Sequence, residues 1–123
     1  MQPSSLTNEQ RQATENYLNA YSLNHKLLRL DRYEKQFLGF RDAELPDREI
    51  INEAPLARAR MFEVRHFILS LSNGNEKLFL YYHYVRCESV ERCAELLGIS
   101  RRTAYRLKNR ALAMAWERLH ETA

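Results

Sequence analysis

Residues 89–112, SVERCAELLGISRRTAYRLKNRAL, decide how this chain is read. Ala94 is small enough to let two helices pack closely. Gly98 follows four residues later, where the chain has to turn and a positive φ is expected. Ile99 is an apolar turn residue able to plug the angle between the helices. Ser100 is suited to cap the next helix, its hydroxyl taking the amide of Arg102 or Thr103. Beyond it Ala104, Leu107 and Ala111 recur at three-four spacing and form a stripe to be buried. The remaining faces carry Arg101, Arg102, Tyr105, Arg106, Lys108, Asn109 and Arg110. This is the pattern of a helix-turn-helix. A helix dry on one side and cationic on the other, presented by a tight turn, suits the major groove of DNA.

The charge distribution agrees. The chain of 123 residues has a formal net charge of +3. Residues 1–72 hold ten Lys/Arg and ten Asp/Glu, so the excess belongs wholly to residues 73–123. Five basic residues and no acid stand between Arg101 and Arg110, a local stripe of the kind that meets phosphate. An apolar fraction of 45% supports a packed core, and three Gly and three Pro leave little room for long irregular stretches. Two cysteines, Cys87 and Cys93, make no disulfide framework and read as small buried apolar residues with reduced thiols. The polar start MQPSSLTNEQ lacks the apolar core of a signal peptide, and no apolar run approaches bilayer length. A cytoplasmic location is expected.

The sequence predicts an all-α chain. A long helix is expected over 7–38, opened by a Thr7/Gln10 capping box and ended by Gly39. Its stripe is Leu23, Leu27, Leu30 and Phe37 with Tyr33 beside them, extended backwards by Tyr17 and Tyr21. Residues around Pro46 read as a connector. A second helix is expected over 54–71 with Pro55 in its first turn and Ala57, Met61, Val64, Ile68 and Leu71 as its seam. The two are expected to form a hairpin, the long stripe packing mainly on that seam, with a homodimer contact as the other use of the stripe. Ser72-Asn73-Gly74-Asn75 marks a boundary between a helical N-terminal region, 1–72, and a DNA-binding unit, 73–123. That unit is read as three helices, over 76–85, 90–97 and from Ser100 to about Leu119.

The run LSNGNEKLFLYYHYVRCESVERCAELLGISRRTAYRLKNRAL resembles region four of bacterial sigma-70 factors. It is more similar still to small phage-encoded regulators of the ArpU and RinA type, with a helical N-terminal half and this C-terminal unit. The resemblance spans about residues 69–119; the N-terminal half carries no recognisable sigma region two. It implies a sequence-specific transcriptional regulator, an activator of late phage genes, with RNA polymerase as a further partner. Carried over by position, Arg101, Arg102, Thr103 and Arg106 would face base edges, with Tyr105 and Asn109 flanking. Lys108, Arg110, Ser89 and Arg92 would touch phosphates, which fix register rather than sequence.

Plainer readings stand beside these. A cationic helix face is commonly just solvated, and a helix-turn-helix can dock a protein. The chain could thus be an adaptor on RNA polymerase or an inhibitor of a host nucleic-acid enzyme. Phe79, Tyr81, Tyr82 and Tyr84 could stack single-stranded bases, but an apolar helical run favours core and rim for them. His83, Cys87 and Cys93 lack a fourth ligand and any paired C-x-x-C, so no metal or other cofactor is expected. No carboxylate pair or Ser/His/Asp grouping sits in a glycine-shaped loop, so an enzyme is not expected.

Overall fold

Thr7 and Gln10 open the first helix by reciprocal capping. The Thr7 amide donates to Gln10 Oε1 at 3.0 Å, and the Gln10 amide donates to Thr7 Oγ1 at 3.1 Å. The computed structural model describes residues 6–42 and 48–121 and is all-helical, with no strand among them. The elements are α1 (Asn8–Asp42), α2 (Arg48–Leu69), α3 (Asn75–Leu80), α4 (Val90–Leu97) and α5 (Arg101–Leu119), with a π-helical turn over Tyr81–Val85 continuing α3. No helix among the described residues is long and apolar enough to cross a membrane.

Two boundaries differ from expectation. α1 runs on through Gly39 to Asp42. One glycine costs a helix only about 1 kcal/mol, and Gly39 does not take up the left-handed conformation that would stop it. α2 begins at Arg48, so Pro55 lies inside the helix rather than in its first turn. Proline's φ is helical, and the ring stands on the exposed side of α2. What it costs is one main-chain hydrogen bond and a clash with the preceding turn. The connector around Pro46 lies outside the described residues.

α2 packs along α1, with the Tyr17 and Phe67 rings edge to face at 5.5 Å. The expected seam is buried at Ala57, Val64 and Ile68 and half-buried at Met61, and Leu71, expected to end the helix, is buried just beyond its last residue, Leu69. The α1 stripe is not. Thr14, Leu18 and Asn24 are buried, with Tyr17 and Tyr21 half-buried, whereas Leu23, Leu27 and Leu30 stand 60%, 49% and 56% exposed and Tyr33 is also exposed. The Phe37 side chain lies outside the described residues. Leu27 is nine residues beyond Leu18, two and a half turns at 100° per residue, which puts it on the opposite side. Thr14 and Asn24 can take the inner side because their polar groups bond within α1, to the carbonyls of Gln10 and Ala20.

One hydrophobic core joins Leu18, Val64 and Ile68 to Phe79, Leu80 and Tyr84 and onward to Leu107, Ala111 and Leu112, continuous across residue 72. Phe79 and Tyr84 are core, while Tyr81 and Tyr82 sit half-buried at its rim. Cys93 is fully buried, but Cys87 is exposed, contrary to its reading as a buried residue. It lies beyond the π turn with φ 58°, in the left-handed region, and the turn closes through the Arg86 amide on the Tyr81 carbonyl and the Glu88 amide on the Tyr82 carbonyl.

Candidate nucleic-acid interface

The bend between α4 and α5 is built from local rules. Gly98 caps α4 with φ 67° and ψ 35°. Its amide donates to the Glu95 carbonyl at 3.2 Å and the Ile99 amide to the Ala94 carbonyl at 3.0 Å. This double closure satisfies two of the orphan carbonyls at a helix end. Ser100 then caps α5, its Oγ accepting from the Thr103 amide at 3.1 Å and donating to Thr103 Oγ1 at 2.8 Å. Ala94 and Ala104 are both buried where α4 meets α5, and Ile99 fills the corner half-buried. α5 is anchored through Ala104, Leu107, Ala111, Leu112 and Ala115, all essentially without solvent contact.

The opposite side of α5 is solvent-facing and cationic. Arg101, Arg102, Arg106 and Arg110 are exposed, and Thr103, Arg106, Asn109 and Arg110 line an open cleft of about 400 Å³. Among the described residues Arg102 and Arg106 meet no carboxylate, so both guanidiniums keep their full set of donors for a ligand. Arg101 is tied loosely: its Nε lies 3.2 Å from Glu91 Oε2, with the side chain 72% exposed, and its guanidinium hovers 6.0 Å from the Tyr105 ring centre. Tyr105 donates to the same Glu91 oxygen at 2.9 Å. The Glu91 carboxyl is held below the usual range by its own amide first, then by the Tyr105 hydroxyl and Arg101. Arg110 has a long ion pair to Glu76, 3.9 Å. Exposed pairs of this kind contribute little and exchange readily for a phosphate.

Two residues expected to contact DNA are engaged by α1 instead, Asn109 at the edge of the cleft and Lys108 beside it. Lys108 is only 22% exposed, its Nζ 3.8 Å from Glu15 Oε2 on α1. Asn109 is half-buried, and its Oδ1 accepts from Arg11 Nη1 at 2.7 Å. Tyr84 completes the bridge by donating to Glu15 Oε2 at 3.1 Å; burial, and then the Glu15 charge, push its phenol well above its ordinary value. The reason is helical phase: Lys108 and Asn109 follow buried Leu107 directly, on the flank of α5 that α1 covers. On α4, the Ser89 hydroxyl is spent on the Arg92 amide at 3.0 Å. Arg92 itself is bracketed by Glu88 at 3.6 Å and Glu95 at 3.2 Å, so α4 offers phosphate a weaker field than its sequence suggested.

Sequence reasoning did not single out Arg11, Glu15, Glu76 or Glu91. Arg11 and Asn109 are 98 residues apart, and no local spacing announces such a pair. Among the described residues no group of His, Cys, Asp and Glu could hold a metal ion. His83 packs against Phe79 and Tyr84 with its Nδ1 2.7 Å from the Glu88 carbonyl. No family model, curated protein or solved structure matches this chain.

Proposed function

We propose that residues 73–123 work as a helix-turn-helix that binds double-stranded DNA, carried by an N-terminal helical hairpin, and that the protein is a sequence-specific transcriptional regulator. The observation that carries this reading is the pair Arg102 and Arg106. They are exposed and, among the described residues, without a carboxylate partner, one turn apart, at the start of a helix whose other side is locked into the core. A guanidinium in that position matches guanine O6 and N7 bidentately, at about 1–3 kcal/mol of discrimination per contact. Arg101 and Arg110 exchange their glutamates for phosphates, and Thr103 lies between the two reading arginines. Lys108 and Asn109 serve instead to hold α5 against α1. Activation of late phage genes, and contact with RNA polymerase, rest on the resemblance to the ArpU and RinA regulators alone.

The test is selection of duplexes from a random pool, followed by anisotropy titrations over a range of salt. Wild type is expected to recover a motif and to lose affinity linearly on a log–log salt plot, with a slope of about −2 for the two phosphate neutralisations by Arg101 and Arg110. Arg102→Ala with Arg106→Ala is expected to lose at least about a hundredfold on the selected duplex while keeping the fold. Equal binding by both proteins, or binding indifferent to salt, would overturn the assignment.

A further inference from the structure

Leu23, Leu27 and Leu30 form an outward stripe on α1, 60%, 49% and 56% exposed, that none of the described residues covers. The spacing from Ala20 through Leu23 and Leu27 to Leu30 alternates three and four, the repeat that keeps one seam facing a second helix. We propose that this seam pairs with the same seam of a second copy, as a parallel two-stranded coiled coil. The three leucines, with Tyr33 beside them, expose on the order of 400 Å² per chain, the size of the largest apolar patch on a typical monomer, which is often a functional one. Two copies with the flanking stems of Lys26 and Arg29 reach about the 1,000 Å² of a specific but modest interface.

Charge selects the direction. Lys26 and Asp31 are five apart in sequence, the offset that sets opposite charges across a parallel seam, twice per dimer. An antiparallel pairing gives no such match, because it sets Lys26 against Lys26 or Tyr33 of the other copy and Asp31 against Asp31 or Asn24. Like charges brought opposite one another there would cost what the parallel arrangement gains. Parallel pairing also puts both α5 helices at one end of the assembly, where two half-sites of one duplex can be met. That last consequence rests on the DNA-binding reading; the pairing itself does not.

The experiment therefore uses no DNA. Sedimentation equilibrium of the full chain at tens of micromolar is expected to give twice the 14.7 kDa chain mass. Leu27→Asn is expected to raise the dissociation constant at least about a hundredfold, since two leucines leave the interface, with unchanged circular dichroism because the side chain is exposed in the monomer. Phe62→Glu, on the exposed side of α2, is expected to leave the mass unchanged. In a Cys87→Ser background, Leu23→Cys and Leu30→Cys are each expected to cross-link to themselves on mild oxidation. No single antiparallel register brings both residues to their own counterparts. A monomer at these concentrations, a dimer lost in Phe62→Glu but kept in Leu27→Asn, or cross-linking at only one of the two positions would overturn the proposal. Duplex binding is read only in the separate anisotropy titrations, so failure there leaves the pairing standing, and a monomer here leaves the DNA-binding reading standing.

Discussion

Gly98→Ala isolates the backbone contribution of the bend. Gly98 has φ 67°, and a Cβ built there meets nothing within 4 Å, so no steric clash enters the cost. What remains is the intrinsic penalty of an L-residue in the left-handed region, roughly 1–2 kcal/mol. Alanine recovers about 0.4–1 kcal/mol of that by restricting the unfolded chain. The net loss is therefore about 1 kcal/mol, or about 3–5 °C in melting temperature for a chain of this size. Urea unfolding of a short series reads it directly. Gly98→Asn is expected to cost least, because asparagine tolerates this conformation, then Ala, then Val, whose branched Cβ fits it worst. In the folded population the α5 surface is unaltered, so affinity for a selected duplex is expected to be unchanged for Ala. A loss near zero for all three would mean that the bend does not require positive φ. A loss above about 3 kcal/mol for Ala would mean that the added methyl meets packed atoms and that the space beside Gly98 is not open.

Cys87 is the mirror case: a side chain held at φ 58° on the surface. Cys87→Gly is expected to stabilise by about 0.5–1 kcal/mol in the same urea assay, and a loss would show that the thiol makes a contact worth more than the backbone strain. Pro55→Ala should return an exposed main-chain hydrogen bond to the middle of α2 and stabilise by about 1–3 kcal/mol; a thermal melt showing no gain would place the helix start at Pro55 after all. Burial is the first cause lowering the His83 pKa below its ordinary 6.5, with Lys108 acting the same way and the Glu88 carbonyl and Glu15 opposing. The unfolded chain therefore takes up a proton before the folded one does. Stability is expected to fall as pH drops below 6.5 and to level off once the folded imidazole also protonates. Denaturation of wild type and His83→Gln at pH 7 and 5.5 checks this, and equal slopes would refute it.

What could be read from the amino acids alone is what neighbours within one or two turns decide. The Thr7/Gln10 box, the Ser100 cap, the left-handed Gly98 and the buried Ala104, Leu107 and Ala111 stripe all depend on groups a few residues apart. Their partners are legible as spacing. Pro55 and Gly39 show the limit of that reading, since a local penalty of about 1–3 kcal/mol shifts a boundary only if nothing else favours the helix. Tertiary structure decided two further matters. In α1 the inner side went not to the leucine stripe that the spacing offered but to Thr14, Leu18 and Asn24, because Leu18 reaches the common core and the polar pair satisfy themselves within the helix. On α5, Lys108 and Asn109 look identical in kind to Arg102 and Arg106 until Arg11 and Glu15 arrive from the other end of the chain. Periodicity says that a helix has a dry side and a wet one, but which polar residues of the wet side another helix covers is a long-range fact.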